Sequence, residues 1–184
     1  DLQGHPSRFH PLGLEMSGGS LGQNLSIATG VALGLKTQNK PNRVWALSSE
    51  GDLQEGQSWE AIMSAAHFRL DNLTLLVDYN KLQIDGHCED VMGVHPLDEK
   101  FKSFNWHTLV IEDGHDFDQV REALDKAATL EGRPKVIIAH TIKGKGISYM
   151  ENVAGWHGKA PDREHLGLAL DELKKREDSL TPAQ

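Results

Sequence analysis

Two short polar clusters carry the clearest chemistry in this sequence. Glu50-Gly51-Asp52 follows an apolar run at 44–48, and Asp78-Tyr79-Asn80 follows a second apolar run at 73–77. A carboxylate and an amide oxygen are hard ligands, suited to Mg²⁺ or Ca²⁺. Gly51 has no Cβ, so its backbone can approach a phosphate closely. Amides near the start of the following helix can also meet an anion. Mg²⁺ is usually held by one or two protein groups together with substrate phosphates, so the pair reads as a Mg²⁺–diphosphate site. Spacing alone leaves a second reading open, in which these are two unrelated polar loops.

The elements that must position these residues follow from periodicity. Leu21, Leu25, Ala28, Ala32 and Leu35 recur every three or four residues, predicting a helix that ends near Gln38-Asn39, before Pro41. The run at 44–48 predicts a buried strand, and 49–56 a polar loop. Trp59, Ile62, Met63, Ala66 and Leu70 mark a second helix, and 73–77 a second strand. A long loop is predicted at 79–94, with Asp85-Gly86 as a turn. A strand at 107–111 precedes a helix capped by Asp116 and marked by Phe117, Val120, Leu124, Ala127 and Ala128. A strand at 136–139, a loop at 144–161, a helix at 166–175 and a polar tail at 176–184 complete the chain. Unalternated apolar strands interleaved with helices predict an α/β fold: an open, mostly parallel sheet with helices on both faces. Ligands bind at the carboxyl ends of such strands. That rule selects the loops 49–56, 78–86, 113–116 and 141–158.

Those loops bear a resemblance. Residues 50–86, EGDLQEGQSWEAIMSAAHFRLDNLTLLVDYNKLQIDG, are similar to the thiamine-diphosphate motif of transketolases, G-D-G-E-L-Q-E-G followed downstream by D-x-N-x-L/I-x-I-D-G. Gly4-His5-Pro6 with Glu15-Met16-Ser17-Gly18-Gly19-Ser20-Leu21-Gly22-Gln23 resembles the family's G-H-P … E-x-T-T-G-P/S-L-G-Q-G. Residues 141–146 (TIKGKG) with Gly155-Trp156-His157-Gly158 resemble its T-x-K-G-K-G … G-x-H-G. Ser49 and Glu50 stand where the family has Gly and Asp.

The resemblance implies roles residue by residue. Glu50, Asn80 and the carbonyl of Leu82 would hold Mg²⁺, with Ca²⁺ or Mn²⁺ as substitutes. Gly51, Asn80 and His157 would meet the diphosphate, Ile84 would lie against the thiazolium, and Gly19, Ser20 and Leu21 would flank the aminopyrimidine. His5 and His157 would face the reacting sugar as catalytic residues. Glu55 and Glu60 match glutamates that meet across a subunit interface, implying a homodimer or heterotetramer. The fold implied is the diphosphate-binding (PP) domain over 1–175, incomplete at its front. The activity implied is transfer of a two-carbon ketol unit from a ketose phosphate to an aldose phosphate, in the pentose phosphate pathway. It would require a C-terminal transketolase subunit carrying the pyrimidine-binding domain. Alternative readings are 1-deoxyxylulose-5-phosphate synthase, a transketolase for unusual sugars, or a degenerate non-catalytic subunit.

Composition bounds the rest. The chain has 184 residues, 38% hydrophobic and 25% charged, with a formal net charge of −8. That is ordinary globular composition. An acidic chain without a basic stripe argues against nucleic acid, and no apolar run approaches a bilayer span. The single cysteine, Cys88, fits a reducing compartment, so a cytoplasmic protein is expected. Cys88 has no nucleophile's partners and reads as inert. His67 and His107 read as structural, His115 chiefly as part of a turn, Lys145 as a loop cation, and His140 as a residue whose spacing requires no role.

Overall fold

A computed structural model describes residues 3–9 and 13–180. The elements run α1 (Gln23–Thr37), β1 (Val44–Ser49), a 3-10 turn (Asp52–Gln54), α2 (Gly56–His67), β2 (Leu73–Tyr79), β3 (Leu82–Gln83), β4 (Gly86–His87), α3 (Cys88–Met92), α4 (Leu97–Ser103), β5 (His107–Ile111), α5 (Phe117–Thr129), β6 (Lys135–His140), a 3-10 turn (Ala154–Trp156) and α6 (Arg163–Leu180).

The main sheet has the order β1-β2-β6-β5, with every neighbouring pair parallel. Side chains alternate between its two faces. Leu75, Val77, Val136 and Ile138 pack on one face with Leu25 and Ala32 of α1, Ile62 and Ala65 of α2, and Phe101 of α4. Ile111 and Ile137 pack on the other with Ala127, Val120 and Leu124 of α5. The mostly parallel sheet with helices on both faces is therefore observed. Trp106 anchors the larger core: it is 2% exposed, and its indole N–H donates to the Ile62 carbonyl at 3.0 Å. Burying a side chain of this size contributes about 3 kcal/mol.

Several boundaries differ from expectation. The segment 79–94 is not one loop, because it folds as the β3–β4 hairpin followed by α3. Gln54 fastens it, donating to the Gln83 side chain and to the Met92 carbonyl. Helix α4 has no counterpart in the periodicity: its sequence LDEKFKS buries only Leu97 and Phe101. Helix α2 begins at Gly56 and ends at His67, so Leu70 lies beyond it. Helix α6 continues through Leu180, so part of the expected polar tail is helical. The rest of that tail, 181–184, lies outside the described residues.

The register brings the strand ends together. Ser49 pairs with Asp78, Asp78 with Ala139, and Tyr79 with His140. The segments that follow β1, β2 and β6 therefore leave from one edge of the sheet.

Candidate active site

At that edge Glu50 is 2% exposed. Its Oε2 accepts the Lys81 backbone N–H at 2.5 Å. Its Oε1 has no hydrogen-bond partner and stands 3.4 Å from His95 Nε2. Burial pushes the Glu50 carboxyl above its usual range, the Lys81 amide opposes this, and Asp78 reinforces it. A buried oxygen with unused lone pairs is costly unless something meets it. The loop after β2 is tightly wound beside it. Asn80 Nδ2 donates to Asp78 at 2.8 Å, and Asn80 Oδ1 accepts the Leu82 N–H at 2.9 Å. Lys81 takes a positive φ of 65° to make this turn.

Asp52 ties the first loop to the start of α1. One carboxylate oxygen accepts the Gly22 N–H at 3.0 Å and the other accepts the Ser49 N–H at 2.9 Å. Gly22 adopts φ 76°, and a Cβ there would lie 2.6 Å from the Glu55 Cβ. Glycine is required on both counts. The same junction places the Leu21 side chain beside Gly51. Upstream, the His5 ring rests against Gly19, and the Gly18 N–H donates to the Pro6 carbonyl at 2.9 Å. The segments 3–9 and 17–22 thus form one layered loop over the end of β1.

The loop after β6 is anchored independently. The Thr141 hydroxyl donates to Asp78, and the Ile142 N–H donates to His115 Nε2 at 2.8 Å. Tyr149, Trp156 and His165 form a ring cluster with centroids 5.0 to 5.2 Å apart. This cluster fixes the strap that carries His157 to α6. Desolvation, aided by the nearby Lys143 cation, lowers the His157 pKa, so a neutral imidazole is favoured. Lys143 also acts on the buried Cys88 thiol, which links this loop to the Glu50 side of the edge.

The family described as "Transketolase, thiamine diphosphate binding domain" matches residues 1–173. The chain belongs to the transketolase family. It is similar to the 6-deoxy-6-sulfo-D-fructose transketolase subunit of a Clostridium species, with 38% identity over 95% of this chain and 63% of the relative. It is likewise 38% identical to an apulose-4-phosphate transketolase subunit of Actinobacillus succinogenes, over 94% of this chain and 62% of the relative. Among solved structures, transketolase from Campylobacter jejuni superposes with a TM-score of 0.82 at 31% identity, covering 89% of this chain and 26% of that one. The chain spans under two thirds of the length of these two curated relatives. Among the described residues, no helix is long and apolar enough to cross a membrane.

Against the transketolase motif, the fold brings Glu50, Gly51, Asn80 and Leu21 to one edge. Leu82 is buried at the start of the β3–β4 hairpin, and Ile84 lies on the hairpin turn, 69% exposed. Gly19, Ser20, His5 and His157 are exposed. Glu55 and Glu60 are exposed at the N-terminal end of α2. Asp52 stands where the motif has Glu, so residues 50 and 52 exchange lengths relative to it. The longer Glu50 reaches the Lys81 amide, and the shorter Asp52 bridges the Ser49 amide of its own loop and the Gly22 amide before α1. Among the described residues, no three His, Cys, Asp or Glu side chains converge into a preformed metal cluster. A divalent ion at this edge would draw on Glu50, the Asn80 amide and a backbone carbonyl. The orphaned Glu50 Oε1 fits a divalent ion.

Lys145 pairs with Glu151 at 3.6 Å, which matches its reading as a loop cation. Asp116 caps α5 by accepting the Asp118 and Gln119 N–H groups. His107 meets Arg133 and the Glu131 carbonyl, as a structural histidine does. Sequence reasoning gave no role to Asp52, Tyr79 or His95. Asp52 had a signal in its place within the motif. His95 had none, because 45 residues separate it from Glu50 and no motif contains it.

Proposed function

We propose that this chain binds thiamine diphosphate and a divalent cation at the carboxyl edge of its sheet, as part of a transketolase. Glu50, Asn80 and the Leu82 carbonyl hold the cation. Gly51, Asn80 and His157 receive the diphosphate, with the Lys143 charge nearby. Ile84 packs against the thiazolium, and Gly19, Ser20 and Leu21 border the aminopyrimidine. When bound, thiamine diphosphate supplies a nucleophilic carbon and an electron sink. The chain's own residues anchor and orient it, and His5 and His157 present N–H groups to the oxygens of the reacting sugar phosphate. The reaction is transfer of a two-carbon ketol unit from a ketose phosphate to an aldose phosphate. It is completed by a separate subunit with a pyrimidine-binding domain, the whole assembling as a homodimer or heterotetramer through the Glu55–Glu60 region in the cytoplasm.

One observation carries this reading: a buried carboxylate with a free oxygen, at the strand edge that also bears Asn80 and Gly51. The test is calorimetric titration with Mg²⁺ and thiamine diphosphate, alone and with a pyrimidine-domain subunit, followed by a ketol-transfer assay. Cation-dependent cofactor binding supports the reading. Absence of binding in the completed assembly overturns it and leaves the degenerate-subunit alternative. The relatives named for 6-deoxy-6-sulfo-D-fructose and apulose-4-phosphate favour an unusual sugar donor over a common pentose phosphate. A donor panel that includes both sugars decides between them.

A further inference from the structure

One flank of the cation position is not an oxygen cage. Glu50 Oε1, buried and without a hydrogen bond, faces His95 Nε2 at 3.4 Å. The Tyr79 hydroxyl lies 2.9 Å from His95 Nδ1 and 3.4 Å from Nε2, and the two rings meet edge-on with centroids 5.0 Å apart. In the tautomer protonated at Nδ1, Nε2 carries the lone pair, 3.4 Å from Glu50 Oε1. Two donor atoms each about 2.1 Å from one ion stand about 3.0 to 3.4 Å apart, between a right angle and a tetrahedral angle. The observed separation lies at the upper end of that range. A cavity of about 350 Å³ lined by Tyr79, Lys81, His87, Glu89, Asp90 and His95 opens on the His95 side of the pair.

Resting on the thiamine-diphosphate reading above, we propose that His95 is a nitrogen ligand of the cation held by Glu50, and that this centre selects Mn²⁺ or Co²⁺ over Mg²⁺. Imidazole suits first-row transition ions, whereas Mg²⁺ takes oxygen donors and tolerates little distortion. Glu50 supplies the reach that this arrangement needs. Its side chain is one methylene longer than the family's Asp, and it extends from the end of β1 to the segment before α4, where His95 sits.

The experiment uses the full chain with Mn²⁺ alone and Mg²⁺ alone as probes. Pulsed electron paramagnetic resonance of bound Mn²⁺ reads nitrogen coupling directly in the unaltered protein. Competition titration reads the ratio of Mn²⁺ to Mg²⁺ affinity. The expected result is ¹⁴N coupling that disappears in His95→Gln, together with at least a tenfold fall in the Mn²⁺/Mg²⁺ ratio and an unchanged circular-dichroism spectrum. Mn²⁺ bound through Glu50 without nitrogen coupling, or a ratio unmoved by His95→Gln, overturns the proposal and leaves the cofactor reading standing. Binding of both ions undiminished by Glu50→Gln overturns the proposal and removes the cation site from the cofactor reading as well.

Discussion

Glu50 sets function against stability at a single residue. Its folded carboxyl is held above the ordinary range by burial, against the pull of the Lys81 amide. The folded chain therefore keeps this proton more tightly than the unfolded chain does. Glu50's contribution is most favourable below the usual carboxylate pKa and is lost as pH rises through that range toward the raised folded value. Glu50→Gln keeps an acceptor for Lys81 and removes the buried charge. The metal-free variant should gain about 1 kcal/mol at neutral pH, and its advantage over the parent should shrink as pH falls through the raised folded value toward the ordinary carboxylate value of 4.5, and change no further below it; thermal melts across pH read both. The same variant should lose cation-dependent cofactor binding. His157 shifts the other way, since desolvation and Lys143 disfavour its charged form. Its ring protons should titrate below the ordinary imidazole value of 6.5 in an NMR pH series, and Lys143→Met should move the midpoint upward. At this scale Glu50 and Asn80 were legible because parallel strands bring consecutive carboxyl ends together. His95 was not, because its place depends on the path of α3 and the segment after it, which no local pattern encodes.

Elements decide whether those residues converge. Asp52 joins the loop after β1 to the start of α1 through two charge-assisted hydrogen bonds. Asp52→Ala leaves the buried Gly22 amide and the Ser49 amide without their acceptor, at a cost of about 1–3 kcal/mol. Denaturant unfolding should show that loss. Calorimetry should show a larger proportional loss of cofactor affinity, because Leu21 and Gly51 no longer share a fixed junction. Gly22→Ala should be worse than its size suggests, since it combines a positive φ with a clash against Glu55. The four main strands were legible as short continuous apolar runs between polar loops, although β1 leaves Trp45 and Leu47 exposed on one face. The β3–β4 hairpin and α4 were not: two-residue strands leave no period to read, and α4 carries only two buried residues on a charged background.

The whole molecule leaves apolar surface uncovered near Glu55 and Glu60. Ile27 and Val31 lie one turn apart on α1 at 45% and 48% exposure, and Met63 lies one turn beyond Glu60 on α2 at 56%. The two helices pack against each other through Gln23, Ser26 and Gln57. Large side chains exposed on neighbouring helices mark surface used in association, which agrees with the assembly proposed through this region. A net charge of −8 opposes that association by mutual repulsion, and salt screens the repulsion. Sedimentation of the chain should therefore show tighter self-association at high salt than at low salt. Ile27→Asp combined with Val31→Asp should weaken assembly at least tenfold, a change of about 1.4 kcal/mol. The melting temperature of the chain alone should stay nearly unchanged, because neither side chain belongs to the core. Equal assembly by parent and double variant would show that α1 lies outside the interface.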